Sequence, residues 1–555
     1  MNASSEPRAA LRAVCLAAVV VSLAACVYVL LTSPPTRFDD SYMFLRYANN
    51  ILAGRGHAWN PDGVQVYGST SLLHVGVVTL LKGCLPRAAD ATVLLVASAL
   101  PGLATMLLLV LGCAWISTHR LLHRQYLLWA GLLLPVLVFD GTLRYHLQTG
   151  MDTMLAGLGN AVLILATLRL VSRPSAGRLA AVVAAGYLAF LARPDNGVYA
   201  TLFPALAILL LVRGPRRKLL AVFALSLLAV LLADAAVKWL VFGSPLPLPF
   251  YAKQHGAYRG YANPDGPNPF LLLSVFLATA LPFVCAVWLL ARRETIRVLT
   301  ALLVPVALTF GYYFSVNQIM GAAGRFYFPS LPFFVVAAAV VVDDRLRAAG
   351  EGCVLGQREL LTRLVILLLV IGVGREGLAA ATARYQSTLP PAGTTAARPA
   401  YDVAAEEPLP AVDRWDAIQA MASLAERVPA GTVIALSEHG VVGARAPQAT
   451  LIDLVGLHDR QFALHGFSAA ELFRRKPDLI WLPHYHYTNI LGGILQSDAF
   501  WRDYAFYPGA FDYGLAIRND SPHRARLTVL VDQQWKALYG DRDLGQYRAV
   551  RRNLH

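Results

Sequence analysis

Long apolar runs separated by short polar segments occupy the first two thirds of the chain. A helix needs about 20 apolar residues to cross the hydrocarbon of a bilayer, so runs of this size predict membrane spans. We expect eleven of them, near residues 11–32, 91–116, 126–140, 153–171, 178–192, 196–213, 218–242, 269–291, 297–316, 327–343 and 361–375. The shorter apolar segment 71–84 would place the basic residues 117–125 on the wrong side of the bilayer if it crossed. It therefore predicts a re-entrant or surface helix.

The last third of the chain has a different pattern, in which short β-rich runs alternate with helical periodicity. The β-rich runs predict strands at 432–436, 450–455 and 478–482, and the periodic segments predict helices at 412–428 and 469–475. Alternation of this kind is typical of a small α/β domain. The predicted fold is therefore an α-helical polytopic membrane protein with a C-terminal soluble α/β domain.

Composition and charge agree with this fold and add an orientation. Of all residues 56% are hydrophobic and only 15% are charged, and the mean hydropathy is +0.51. The net charge of +14 comes from Lys and Arg that cluster between apolar runs, as at 214–218, which indicates membrane orientation and not nucleic-acid binding. We expect a bacterial inner-membrane protein with a transmembrane module at 1–375, a first outer loop at 33–70 and a periplasmic domain at 376–555.

An acidic pair, Asp39 and Asp40, directly follows the first predicted span. Carboxylates at a membrane boundary are costly, so they usually have a role there. Three roles fit the sequence: general base for an attacking hydroxyl, ligand of a divalent cation, and cap of the helix that begins at this point. The sequence leaves open whether a cation joins the aspartates, and no other metal ligands are assigned.

Further polar and aromatic residues occur in the predicted outer loops. Aromatic rings there can stack on a sugar or anchor the chain at the interface, and the neighbouring Arg193 and Asp195 favour a structural ion pair. Isolated cations at the boundary suit the phosphate of a lipid-linked donor. The candidate substrate-binding residues are His57, Trp59, Tyr67, His146, Asp152, Arg193 and Asp195, and the candidate phosphate-binding residues are Lys253 and Arg325.

Several motifs, taken in their order along the chain, resemble a known family. They are Asp39-Asp40-Ser41-Tyr42, Arg46-Tyr47-Ala48-Asn49-Asn50, Gly68-Ser69-Thr70-Ser71, Thr149-Gly150-Met151-Asp152, Arg193-Pro194-Asp195, Gly243-Ser244-Pro245-Leu246-Pro247 and Tyr251-Ala252-Lys253. This set resembles the GT-C superfamily of membrane glycosyltransferases, and within it the branch of the mycobacterial terminal β-1,2-arabinofuranosyltransferase. Pro-Leu-Pro at 247–249 and Asp152 depart from that branch, and both bear on which sugar is used.

The resemblance implies an inverting glycosyltransferase that uses a polyprenyl-phosphate sugar. Asp39 or Asp40 would be the catalytic base, and Lys253 and Arg325 would contact the donor phosphate. The acceptor would be a cell-envelope glycan or protein, and the other partner is membrane lipid. The alternative is a transporter or flippase of lipid-linked sugars, since charges inside membranes also mark transport routes.

Overall fold

The computed structural model describes residues 6–32, 36–118, 126–254, 269–315, 318, 321–349, 401–484 and 487–551. Its contacts divide the chain into two compact units. The helical unit comprises Met1–Thr36, Leu95–Ala233 and Asp265–Pro390, and the mixed unit comprises Arg37–Leu94, Asp234–Pro264 and Pro391–His555. The predicted boundary between residues 375 and 376 lies outside the described residues, so it stays a prediction.

The helical unit is built from long apolar helices, which pack through aliphatic and aromatic side chains such as Phe203, Phe276 and Phe333. Asp90–Ile116 and Arg216–Phe242 extend at one end into the mixed unit. The helices are Glu6–Thr32, Asp90–Ile116, Tyr126–Val138, Gly141–Gln148, Thr153–Ser172, Ala176–Ala192, Gly197–Leu211, Arg216–Phe242, Pro269–Leu290, Ile296–Ser315 and Leu331–Ala349.

Eight helices in the described residues are long and apolar enough to span a membrane. A ninth span results if the pair Tyr126–Val138 and Gly141–Gln148, bent by 79°, is counted as one. The predicted span 178–192 corresponds to Ala176–Ala192, which at 17 residues is shorter than these. The predicted span 361–375 lies outside the described part of the chain. The prediction of a multi-pass helical membrane protein is confirmed.

The mixed unit contains a five-stranded sheet in the order β3-β2-β4-β6-β5. Strands β2, β3 and β4 are parallel, and β5 and β6 add an antiparallel hairpin beside β4. A separate antiparallel pair joins β1 to β7. The strands are β1 (Tyr401–Asp402), β2 (Val433–Leu436), β3 (Thr450–Asp453), β4 (Leu479–Trp481), β5 (Tyr504–Tyr507), β6 (Leu515–Arg518) and β7 (Val550–Arg551).

Helices of the mixed unit come from both the first loop and the C-terminal region. We call Asp39–Leu52 the Asp39 helix and Gly440–Arg445 the Gly440 helix. The predicted segment 71–84 forms the helix Leu72–Cys84, capped by Ser71. The helices are Asp39–Leu52, Leu72–Cys84, Leu248–Gln254, Arg414–Ala425, Gly440–Arg445, Arg460–His465, Ala469–Arg474, Thr488–Gln496, Asp498–Asp503 and Arg524–Tyr539.

The first loop is joined to the sheet by two polar side chains, the buried Arg46 and the partly buried Asn60. Arg46 is 2% exposed and donates hydrogen bonds to five oxygens, so the guanidinium is fully satisfied. Asn60 bonds both the N–H and the C=O of Leu451 and thus pairs the edge of β3 as a neighbouring strand would. The acceptors of Arg46 are the carbonyls of Trp59, Gly443, Ala446 and Ala449 and the Oδ1 of Asn60.

The predicted α/β character of the C-terminal region is confirmed. Each predicted strand and helix has a counterpart, shorter than predicted by one to five residues. The sequence reasoning missed β5, β6 and the helix Arg524–Tyr539. Both strands are only four residues long, and the pairing of β6 with β4 joins segments that are distant in sequence.

Candidate functional site

The carboxyl ends of the three parallel strands β2, β3 and β4 lie at one edge of the sheet in the mixed unit. Polar side chains follow each strand at this edge: Glu438 and His439 after β2, His458 after β3 and His484 after β4. In open α/β sheets this edge is where ligands bind. Sequence reasoning did not select these residues, although a histidine shortly after each of three predicted strands was a usable signal.

Asp39 lies at this edge and caps a neighbouring helix. Its two carboxylate oxygens accept hydrogen bonds of 2.9 Å from the N–H groups of Gly440 and Val441, at the start of the Gly440 helix. A Cβ on Gly440 would overlap the main-chain carbonyl of Asp39, so only glycine permits this approach. The expected cap of its own helix is not formed, because the residue that caps the Asp39 helix is Phe38, without a side-chain hydrogen bond.

Asp40 is half-buried beside Asp39. Both carboxylates act electrostatically on Glu438, just after the end of β2. Glu438 accepts a 2.6 Å bond from Arg414. Burial raises the pKa of Glu438, and the carboxylates of Asp39 and Asp40 raise it further, while Arg414 offsets part of the rise. The edge therefore gathers three carboxyl groups next to a single arginine, an arrangement that suits proton transfer.

His439 and His458 form a second group at the same edge, with Asp453. Each of these residues offers one nitrogen or carboxylate oxygen that could bind a metal ion, and these three atoms lie within 4.8 Å of one another. Burial lowers the pKa of His439, but the carboxylates of Asp453, Asp39 and Asp40 outweigh burial and raise it overall. Burial, reinforced by His439, holds the pKa of His458 well below its ordinary value. Two adjacent histidines with opposite shifts thus lie close to the acidic pair.

The candidate aromatic residues of the first loop face other side chains of the mixed unit. Trp59 is fully buried and stacks on the His458 ring, 3.8 Å between centroids at 10°. His57 stacks on Tyr47 at 4.2 Å, and Tyr67 stacks on Phe242. Each of these three rings thus has one face covered by a neighbouring side chain.

Lys253, the candidate phosphate ligand of the mixed unit, is exposed in the last turn of Leu248–Gln254.

The helical unit brings Asp152, Arg193, Asp195 and Arg325 together. Arg193 donates two bonds to Asp195, of 3.0 and 2.7 Å, and Tyr313 donates a third of 2.6 Å. The expected structural ion pair between Arg193 and Asp195 is thus present. Asp152 is 2% exposed, with Oδ1 lying 3.9 Å from Arg193 and 4.0 Å from Arg325. In this cluster two arginine cations lie next to two carboxylates, and all four side chains are mostly shielded from solvent.

His146 is also buried in the helical unit, and its Nε2 lies 3.0 Å from the carbonyl oxygen of Ala323. Sequence reasoning missed a further ion pair, Asp234 with Lys238, at 2.6 Å on the helix Arg216–Phe242. Charges inside a span are rare and usually functional, which was the signal available in the sequence. Lys238 also lies 5.2 Å from the centre of the Tyr67 ring.

A family described as a domain of unknown function (DUF8728) matches residues 410–537. No curated protein sequence matches the chain significantly. The apo crystal structure of ArnT from Cupriavidus metallidurans is similar with a TM-score of 0.50 at 13% identity, over 90% of this chain and 97% of that one.

A second similar structure is the oligosaccharyltransferase AglB from Archaeoglobus fulgidus, solved with an inhibitory peptide and a dolichol-phosphate. Its TM-score is 0.47 at 14% identity, over 92% of this chain and 75% of that one. The likeness to ArnT concerns the fold over nearly the whole chain. Together with the membrane helices and the α/β sheet, it shows that this chain has a GT-C-like fold.

Proposed function

We propose that this protein is a membrane glycosyltransferase that takes its sugar from a polyprenyl-phosphate donor. The GT-C-like fold and the motif order support this class. The observation that carries the catalytic assignment is the different situation of the two aspartates. Asp39 uses both oxygens to hold the Gly440 helix, whereas the half-buried carboxylate of Asp40 lies beside it and acts on Glu438 and His439.

Asp40 is the general base of the proposed reaction, and Asp39 fixes the first turn that carries it. Asp40 removes the proton of an acceptor hydroxyl, whose oxygen attacks the anomeric carbon of the donor sugar. The bond from that carbon to the phosphate oxygen breaks, and polyprenyl phosphate leaves. A single in-line displacement inverts the anomeric centre and needs one base without a carboxylate nucleophile.

The finer features of the proposal come from the motif resemblance. The donor sugar is arabinofuranose, and the acceptor is a glycan or protein of the cell envelope on the periplasmic face of a bacterial inner membrane. Lys253 and Arg325 contact the donor phosphate, where fixed cations stabilise the charge of the leaving group. The periplasmic α/β domain binds the acceptor.

Substitution of each aspartate by asparagine tests the division of roles. Asp40→Asn should lower the transfer rate by about 10²- to 10⁴-fold, the usual contribution of a general base. Asp39→Asn should lower the melting temperature, because one amide of the Gly440 helix loses its acceptor. The exposed Asp416→Asn, in the helix Arg414–Ala425, is the matched control.

The assay uses labelled polyprenyl-phosphate sugar, purified protein in nanodiscs and candidate acceptors. New glycosidic product with the opposite anomeric configuration is the expected result. Full activity of Asp40→Asn would remove Asp40 as the base. Movement of donor across vesicle membranes without product would instead support a flippase.

A further inference from the structure

One thioether sulfur and two imidazole nitrogens converge at the sheet edge beside the acidic pair. The thioether sulfur of Met43 lies 3.2 Å from Nε2 of His439 and 3.0 Å from Nε2 of His458. Met43 is on the Asp39 helix, His439 follows β2 and His458 follows β3. Three separate segments of the mixed unit thus supply one atom each to the same point.

The hydrogen bonds of the other ring nitrogens are compatible with the tautomers in which both Nε2 atoms carry lone pairs. Nδ1 of His439 lies 2.7 Å from the carbonyl oxygen of Ser437, which can only accept, so Nδ1 carries the proton. Nδ1 of His458 lies 2.9 Å from the Tyr47 hydroxyl, and the stacked Trp59 ring fixes the imidazole plane. A metal-binding histidine is typically oriented in this way, through its second nitrogen.

As a guide, Zn²⁺ takes nitrogen at about 2.0–2.1 Å and sulfur at about 2.3 Å, so donor atoms this close would spread by a few tenths of an ångström around an ion. Met43 is only partly buried, whereas the two histidines are 4% and 3% exposed.

The donor set decides which ion fits. Thioether and imidazole ligands together favour Cu(I), while hard divalent ions prefer carboxylates. The Asp453 carboxylate already accepts from the N–H groups of Val455, Gly456 and His458. It lies 3.8 Å from Nδ1 of His439 and balances the positive charge without being a ligand.

We propose that Met43, His439 and His458 form a Cu(I) site. Met43 is one helical turn from Asp39 and Asp40, so the ion ties the acidic first turn to the ends of β2 and β3. Its role is structural support of that turn. The proposal does not depend on the sugar-transfer activity.

The test is an anaerobic Cu(I) titration of the purified full-length protein in nanodiscs, in competition with the chromogenic chelator bicinchoninate. We expect one bound Cu(I) per chain and a sulfur neighbour of copper in X-ray absorption. Met43→Leu keeps the volume but removes the sulfur. It should abolish that sulfur signal and weaken binding by at least about 10-fold, since even the loss of a group that only orients a ligand costs about 10- to 100-fold.

Met421→Leu is the matched control, because Met421 is fully buried in the helix Arg414–Ala425, away from the sheet edge. It should bind Cu(I) as the unaltered protein does. The proposal is overturned if the unaltered protein binds no Cu(I), if its copper has no sulfur neighbour, or if it prefers Zn²⁺. The X-ray absorption of the unaltered protein decides the question even if Met43→Leu does not fold.

Discussion

Arg193 of the helical unit and Arg46 of the mixed unit are both buried, but different groups hold them. In the helical unit, Arg193 is held by the carboxylate of Asp195 in a bidentate ion pair. In the mixed unit, Arg46 is held almost entirely by main-chain carbonyls, and Asp39 by main-chain amides. Membrane helices use most of their amides and carbonyls internally, so few main-chain groups are left to hold a charge between them. Loops and short helices of an α/β unit leave main-chain groups available.

This difference has a functional consequence. Ion pairs between side chains neutralise the charge of the helical cluster, whereas main-chain anchoring fixes Asp39 and leaves its negative charge at the sheet edge. That charge acts on Glu438 and His439. The negative charge of Asp39 therefore acts at the sheet edge, where the proposed base Asp40 lies.

Arg46→Ala should have the largest effect on stability. Four buried carbonyls lose their donor, and we expect the free energy of unfolding of the mixed unit to fall by about 3–5 kcal/mol. Thermal unfolding in nanodiscs, followed by fluorescence of the buried Trp59 and Trp481, measures this. The exposed Arg427→Ala should change it by no more than about 0.5 kcal/mol. Equal melting of both variants would show that main-chain anchoring contributes little.

Asp195→Asn tests the ion pair of the helical unit. It leaves the buried Arg193 cation without its bidentate partner, which should cost about 3 kcal/mol. The loss is measured as the drop in temperature at which half of the detergent-solubilised protein stays monodisperse. Glu294→Gln, in the exposed pair with Arg292, should cost at most about 1 kcal/mol. A result for Asp195→Asn no larger than this control would contradict the comparison.

Asp478 should give the smallest effect, confined to acidic pH. Burial alone would raise the pKa of Asp478, but bonds from Val433 N–H, Arg518 and Ser521 outweigh it and lower the pKa overall. A carboxyl with a lowered folded pKa adds stability above its unfolded value of about 3.9, and this is lost as the pH falls towards the folded pKa.

The melting temperature of Asp478→Asn should therefore depend less on pH below about 4 than that of the unaltered protein. The exposed Asp541→Asn should keep the original pH dependence. If the melting temperature of Asp478→Asn falls with decreasing pH as steeply as that of the unaltered protein, these bonds do not contribute to the pH dependence of stability.

Local patterns in the sequence predicted much of the fold. Apolar runs predicted the spanning helices, since a bilayer requires a fixed length of apolar residues. The short strands at 433–436, 450–453 and 479–481 followed from β-branched and aliphatic runs. The hairpin β5–β6 was missed because its stability comes from pairing with β4, which the local sequence does not encode.

The candidate site was predictable only in part. The sequence singled out Asp39, Asp40, Asp152 and Arg325 as chemically unusual at their positions. It gave no sign that Asp39 would cap the Gly440 helix, about 400 positions away. The partners Glu438, His439 and His458 come from parts of the chain that were assigned to a separate domain.

The sequence by itself determined the class of this protein: a polytopic membrane protein with an α/β region and an acidic pair after its first span. Those features follow from hydrophobic length, periodicity and charge, which are local properties. The tertiary structure alone decided that Asp39 caps the Gly440 helix and that a methionine meets two histidines nearby. Such contacts depend on the packing of distant segments, where a shift of one residue in register would direct each side chain elsewhere.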